Sequence, residues 1–342
     1  MSRVTVHDLA AEAGVSLATV DRVLNRRPGV RQATIDRVEA AMARLDYRRD
    51  LAAANLAKKR RYPIRFILPE GDNPFMHSLE AEALAFQRQA EATRVDVTIV
   101  KVPAFDADRL ADALDSVGPG DAIGVVAVAT ESPRARAAID DLAERGVPVV
   151  TLVSDIPGSR RIHYSGIDNA AAGRTAGTLL GRFLGARTGK VALVAGSMLL
   201  RDHVERRFGF EQVLRAEFPH LEMLPLIEGR DDGVVVEELL RPILASTPDL
   251  VGIYCLAAGS EGVIVALKDA GRQHEITVIA HDLTDHARRA LLDGTFDAII
   301  NQDGGHEVRS AIRVLKARAD GLPIIPGQER IRIDIFMRDN LP

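Results

Sequence analysis

Two rhythms of apolar residues divide the chain. Over residues 1–47 the apolar positions recur at helical spacing between turn formers, whereas from Pro63 onward short Val/Ile-rich runs alternate with helical patterns. In the first stretch Thr5 is placed to cap a helix, with Asp8 three residues on in the manner of a capping box, and Gly14 ends it. Ser16 is placed to cap a second helix, Leu17 to Asn25, which Pro28-Gly29 closes off. A third runs from about Arg31 to Tyr47, with Ile35, Val38, Met42 and Leu45 on one face. An alanine-rich stretch ending in four basic residues, 58–61, follows.

The second rhythm contains nine β-rich runs: 64–68, 97–100, 123–129, 147–153, 191–196, 250–256, 276–280, 296–301 and 331–336. Continuous Val/Ile runs separated by helices mark parallel sheets covered on both faces. Nine such units exceed one ordinary sheet, so the expected fold is a small all-α module followed by two doubly wound parallel α/β lobes. The boundaries fall at 1–50 for the module, 51–62 for a hinge and linker, and 63–342 for the body.

Composition changes this picture in one respect. The 342 residues carry a formal charge of −4, but residues 1–62 hold 13 Lys and Arg against 7 Asp and Glu, a net of +6, leaving −10 on the rest. A basic module on an acidic body points to a nucleic-acid partner. The lone Cys255 rules out an intramolecular disulfide and fits a reducing cytoplasm. Neither a secretory signal nor a run of about 20 uncharged apolar residues is visible, so a cytoplasmic protein without a membrane partner is expected.

Two helices joined by the tight turn A-E-A-G-V-S and followed by a third form a helix-turn-helix pattern. Such a module lays the start of its second helix in a major groove about 12 Å wide; a small bundle that caps the body or binds a protein has the same outline. Val15, Val20 and Val23 would anchor the second helix, leaving Leu17, Ala18, Asp21 and Arg22 nearer DNA. The residues VTVHDLAAEAGVSLATVDRVLN…VRQATIDRVEAAMARLDY…NLA, spanning 4–59, resemble the DNA-binding segment of the LacI family of bacterial transcription regulators. That resemblance implies a hinge helix over about 51–58, in which Leu56, beside Asn55, matches a leucine that wedges into the minor groove and bends the duplex. Arg22 suits guanine readout, while Thr5, His7, Ser16, Thr19, Asn25 and Arg31 suit positioning on phosphates. Asp21 departs from the family's usual Ser; its carboxylate would pair with a basic neighbour or accept from a cytosine amino group.

Open α/β sheets bind ligands beyond the carboxyl ends of their strands. The polar residues following the β-runs are Asn73, Ser154, Asp155, Ser260, Asp282 and Gln302, with the ring of Phe75 beside the first and Arg206 early on a following helix. Carboxylates, amides, a hydroxyl and a guanidinium with one stacking ring suit a polyhydroxylated ligand. Residues 63–342 also resemble the LacI-family effector domain, which is similar to periplasmic sugar-binding proteins; 167–177 and 281–302 resemble its ribose-type branch. The resemblance implies three crossings between lobes, giving an N-lobe of about 63–165 and 303–325 and a C-lobe of about 166–302 and 326–342. In it Asn73 and Phe75 match the first ligand loop, Arg206 an arginine clamp, Asp282 a bidentate acceptor and Gln302 a polar residue at a crossover, while Val153 stands where an Asp is often found.

Enzyme motifs are missing: no G-x-G-x-x-G follows a strand, and neither a phosphate loop nor a nucleophile elbow occurs. His281-Asp282 with His286 lacks a metal framework. The resulting expectation is a dimeric, non-enzymatic repressor without cofactor or metal, released from a pseudo-palindromic operator by a small carbohydrate-like effector. A regulator that needs its ligand to bind DNA, and more distantly a sugar-binding transport protein or sugar-modifying enzyme, are the alternatives. No C-terminal leucine heptads argue for more than a homodimer.

Overall fold

Residues 4–25, 27–47 and 60–342 are described by a computed structural model of the chain, in which two units separate between Arg60 and Arg61. The expected hinge helix, with Asn55 and Leu56, lies outside the described residues.

The first unit is three helices, α1 (Val6–Ala13), α2 (Leu17–Leu24) and α3 (Gln32–Arg44). The Thr5 hydroxyl accepts from the Asp8 N–H while the Asp8 carboxylate accepts from the Thr5 N–H at 2.8 Å, which closes the capping box. Gly14 ends α1 at φ +62°, a left-handed turn that costs glycine nothing. Ser16 Oγ then accepts from the Thr19 N–H at 3.2 Å to start α2. Helices α2 and α3 stop short of the sequence estimate because Asn25 and Leu45 already leave helical geometry. Leu9, Val20, Val38 and Ala41 form the buried core, with Val15, Val23, Met42 and Leu45 packed around it.

The second unit begins with β1 (Tyr62–Pro69), α4 (Pro74–Arg88), α5 (Ala90–Thr93), β2 (Val95–Val102), α6 (Ala107–Asp115), β3 (Gly124–Val128), α7 (Pro133–Glu144), β4 (Val149–Leu152) and β5 (His163–Ser165). These strands make one parallel sheet in the order β2-β1-β3-β4-β5. Alternate residues serve opposite faces: Ile64, Phe66 and Leu68 meet α4, while Ile67 meets α6 and α7.

A second sheet follows through α8 (Asn169–Leu184), β6 (Gly189–Ala195), α9 (Arg201–Glu217), β7 (Leu221–Met223), β8 (Ile227–Glu228), α10 (Gly233–Ser246), β9 (Leu250–Cys255), α11 (Ser260–Asp269), β10 (Thr277–His281), α12 (Asp285–Leu292) and β11 (Ala298–Gln302). Its order is β12-β11-β10-β9-β6-β7, with β8 also on β6. Between β11 and β12 (Ile333–Phe336) the chain returns to the first sheet, where α13 (Gly304–Asp320) packs on α4, β4 and β5, and then passes the single turn α14 (Pro326–Glu329).

All nine β-rich runs form strands. The short strands β5, β7 and β8 carry too few residues to register as runs. One departure from the all-parallel expectation is β12, which lies antiparallel to β11 with Ile333 opposite Gln302. The chain leaves the sheet at Gln302 and re-enters beside it, so its last strand must run back.

Two glycines seat α9 on α8. A Cβ at Gly173 would stand 1.9 Å from the Arg206 carbonyl oxygen, and one at Gly209 would stand 2.1 Å from that of Ala170. Only backbones without side chains can approach so closely, and the approach fixes the height at which Arg206 leaves its helix.

Candidate functional site

The first unit presents a surface suited to a duplex. Thr5, His7, Ser16, Leu17, Ala18, Arg22 and Arg31 are exposed, and Thr19 and Asn25 are half-buried. Leu17 is 42% exposed although it opens the helix that Val20 anchors, so this end of α2 offers an apolar contact to something outside the unit. Asp21 has the basic neighbour that the sequence allowed: Arg27 lies 3.3 Å from its carboxylate, and Asn25 Nδ2 donates to it at 2.6 Å. Asn25 is therefore occupied in orienting Asp21 as well as ending α2. Arg22 is exposed and has no ion pair among the described residues.

In the second unit the carboxyl ends of both sheets face a cleft of about 610 Å³, walled by Asn73, Met76, Phe105, Leu200, Arg230 and Asp231 among others. A smaller recess of about 30 Å³ lies deeper and brings together Asn73, Phe75, Ser154, Arg206, Asp282 and Gln302 with Asp202, His203 and Asp231. Six of the eight residues proposed from strand ends thus meet in one place, although Asn73 and Gln302 stand at opposite ends of the body's sequence.

Each is held by its element. Asn73 caps α4, its Oδ1 accepting from the N–H groups of Phe75 and Met76, while its Nδ2 reaches across the cleft to Asp231 at 2.9 Å. Arg206 is buried; its Nε donates to Asn169 Oδ1 at 2.8 Å and its Nη1 to the Leu256 carbonyl at 2.9 Å. Asn169 in turn donates to the Tyr164 hydroxyl at 3.0 Å, and that hydroxyl donates to the Val153 carbonyl at 2.7 Å. This chain of hydrogen bonds ties the arginine to β5, where the chain first passes between sheets. Gln302, at the second passage, donates to Asp282 at 3.2 Å.

Four lining side chains, Ser154, Asp202, Arg206 and Gln302, are at most 5% exposed and each carries a polar atom with no hydrogen-bond partner among the described residues: Oγ, Oδ1, Nη2 and Oε1. Asp231 Oδ1 is in the same condition. Buried polar groups are ordinarily hydrogen-bonded, so a cluster of orphans around one recess marks a place built for a polar ligand.

The electrostatics agree. Burial pushes the Asp282 carboxyl up to about 6, against the pull of Arg206. Asp231 is raised for the same reason, with His203 opposing. Glu307, wholly buried on α13, is raised well above the usual range by burial and then by Asp282. Arg206 keeps its charge: burial works against it, but Asp202 and Asp282 outweigh that cost.

Backbone strain gathers here too. Of the seven non-glycine residues with positive φ among the described residues, five (Phe105, Val153, Arg230, Asp231 and Asp282) line the cleft or its recess. A β-branched Val153 at φ +63° is a particular outlier, of the kind that clusters at ligand sites.

Two residues taken from strand ends sit elsewhere. Asp155 does not join the recess, because both its oxygens are taken by Arg161 and one also by the Thr151 hydroxyl. Ser260 opens α11 beside the recess, in a niche with His281 and His286, and its hydroxyl is 2.8 Å from His286 Nε2. The three residues the sequence missed had two different signals. Asp202 and His203 precede Arg206 on the same helix, and the four-residue spacing of Asp202 and Arg206 put them on one face. Asp231 follows β8, a two-residue strand that no run announced. Cys255 fills a wholly buried strand position, and burial pushes its thiol up to about 12.

Comparison with known proteins falls along the same division. The family described as bacterial regulatory proteins, lacI family, matches residues 5–50, and the periplasmic binding protein domain matches residues 64–323. Catabolite control protein A of Priestia megaterium is 26% identical over 288 residues, covering 82% of this chain and 83% of that protein. The ribose operon repressor of Bacillus subtilis is 44% identical over 75 residues, 22% of this chain and 23% of its own length. Among solved structures, GanP, a glucose-galactose binding protein from Geobacillus stearothermophilus, shares the fold with a TM-score of 0.73 at 23% identity, over 83% of this chain and 99% of its own.

Proposed function

From the premise that the chain belongs to the lacI family of bacterial regulatory proteins, with a periplasmic binding protein domain as its body, we propose how this sugar-responsive transcriptional repressor works. It acts as a homodimer in the cytoplasm. Two helix-turn-helix units read the half-sites of a pseudo-palindromic operator, with Leu17, Ala18 and Arg22 toward base edges and Thr5, His7, Ser16, Thr19, Asn25 and Arg31 toward phosphates. Asn55 and Leu56 complete the contact at the dyad, where the leucine bends the duplex.

The observation that carries the effector half is the ring of orphaned buried atoms around Arg206. A polyhydroxylated effector that reaches from the wider cleft into the recess satisfies them, and Phe75 supplies the apolar wall. Binding draws the two sheets together through Asn73 on one side and Asp231, Arg206 and Asp282 on the other. The Arg206–Asn169–Tyr164 chain links that closure to the first passage between sheets. An effector lowers operator affinity only by binding the two states differently, and coupling of about 1–3 kcal/mol is typical.

The test is fluorescence anisotropy on the chain's own promoter region, with and without a panel of sugars. Salt-sensitive binding to a palindromic segment, reversed by one sugar, is expected. Binding that appears only with sugar would reverse the direction of control. Leu56→Ala should weaken operator binding far more than binding to unrelated DNA; equal losses would remove the wedge.

A further inference from the structure

The cleft's charges constrain what can enter it. Asp202, Asp231 and Asp282 line the recess against one guanidinium, Arg206, and the carboxyl of Glu307 lies close behind. Arg206 uses Nε and one N–H of Nη1 on Asn169 and the Leu256 carbonyl, so Nη2, 4.0 Å from Asp202 Oδ2, is the nitrogen without a hydrogen bond among the described residues. The remaining orphans are acceptors or a hydroxyl: Asp202 Oδ1, Asp231 Oδ1, Gln302 Oε1 and Ser154 Oγ. The wider cleft adds Glu70, Asp72, Asp232, Glu237 and Glu261, with Arg230 held over the Phe105 ring at 5.5 Å.

The capping of neighbouring helices points the same way at some elements only. Anions commonly bind at helix N-termini, where backbone N–H groups are free. At four helices near this cleft those groups are already taken by side chains, whereas α9 opens at Leu200 and α11 at Gly259 without a side-chain cap. Asn73 accepts from the first N–H groups of α4, and Asp232 accepts from Val234 and Val235 at the start of α10. Thr284 caps α12 and Asp303 caps α13 in the same way. Two of these four caps are carboxylates, which would repel an arriving anion.

We propose that the effector is a polyol without an anionic group, one whose hydroxyls (or amine) donate to Asp202, Asp231 and Gln302, and that phosphorylated and carboxylated sugars are excluded. This rests on the reading of the recess as the effector site. It selects a free sugar, sugar alcohol or amino sugar over the phosphorylated products of its metabolism. Like charges brought together at a binding site are a strong discriminator, so the phosphate or carboxylate counterpart of the effector should bind at least ~100-fold more weakly.

The experiment is a thermal-shift and calorimetric screen of the full chain with matched sets: ribose and ribose 5-phosphate; glucose, glucosamine, glucuronate and glucose 6-phosphate; sorbitol, gluconate and sorbitol 6-phosphate. Stabilisation by a non-anionic member, with its anionic counterparts at least ~100-fold weaker, is the expected result. An anionic member that binds as well as its neutral counterpart, or better, overturns the proposal. In Asp231→Asn the discrimination should narrow by ~10-fold, whereas an unchanged ratio would contradict the role given to the carboxylates. Because the wild-type panel stands by itself, a variant that does not fold leaves the proposal fully testable. Failure of the underlying reading would look different: operator binding would persist while no sugar of either class shifted it or the melting temperature, and the proposal would fall with it.

Discussion

The two units reach specificity by opposite routes. In the helix-turn-helix unit every determinant is local: a threonine and an aspartate three residues apart close one helix, a glycine turns the chain, and a serine starts the next. Its functional face is what remains exposed once Leu9, Val20, Val38 and Ala41 are buried. In the body the candidate effector residues are buried (Phe75, Ser154, Arg206 and Gln302) or half-buried (Asn73, Asp231 and Asp282), and they come from strand ends and helix starts up to 229 residues apart. The first unit leaves its candidate contacts at the surface, whereas the second holds its candidate contacts around a recess where several buried polar atoms lack a hydrogen-bond partner among the described residues. The contrast explains why the exposed candidates of the first unit follow from local sequence, while the grouping of the body's candidates appears only in three dimensions.

Removing Arg206 should separate the two units most sharply. It is buried with Asp202 and Asn169 against it, and breaking such an arrangement costs about 3–5 kcal/mol because the partners are left unpaired. Arg206→Ala should lower the melting temperature of the body and abolish the effector response, while the helix-turn-helix unit keeps its circular-dichroism signal and its DNA affinity. Parallel loss of both would mean that the units do not fold independently.

Acid should divide them next. A carboxyl raised by burial binds a proton more tightly when folded, so its penalty is present above the folded value and is relieved as pH falls through it. With Asp282 at about 6, the body should gain on the order of 2 kcal/mol from this group between pH 7 and pH 4, and Asp282→Asn should remove that gain. Asp8 has the opposite sign: hydrogen bonds from Thr5 hold it below the usual carboxylate range, so its capping contribution is lost as pH falls through that lowered value. Melting curves followed across pH in wild type, Asp282→Asn and Asp8→Asn check both signs.

Packing gives a smaller effect. Gly173→Ala places a methyl group into the Arg206 carbonyl, and overpacking of this kind costs about 1–3 kcal/mol. Since it pushes α9 away from α8, effector affinity should fall along with stability. Unchanged affinity would show that the position of Arg206 does not depend on that contact. The smallest effect is expected for Ser16→Ala, which loses the cap of α2 at about 1 kcal/mol. It should weaken DNA binding and leave effector affinity alone, as isothermal titration on the same sample would report.

Sequence periodicity was enough for the architecture. The helices of the first unit and all nine β-rich runs reappear, and six residues picked by the strand-end rule, Asn73, Phe75, Ser154, Arg206, Asp282 and Gln302, line one recess. It failed where an element is too short to leave a pattern or where a neighbour captures the side chain. Asp231 follows a two-residue strand, and Asp155 is claimed by Arg161, a partner six residues on that the strand-end rule does not weigh. Asp202 and His203 were legible in principle from helical spacing to Arg206. The orphaned atoms, by contrast, exist only in three dimensions, since a missing partner has no sequence signature.

The central claim is that the buried recess governs the affinity of the exposed α2 face for DNA. It is tested most directly by measuring operator affinity for wild type and Arg206→Ala with and without the sugar that raises the wild-type melting temperature. Equal affinities without sugar, a fall of about 5- to 150-fold on sugar addition for wild type, and no fall for the variant are the predicted results. A wild-type operator affinity that ignores the bound sugar, or a variant that releases DNA at the same sugar concentration, would contradict it.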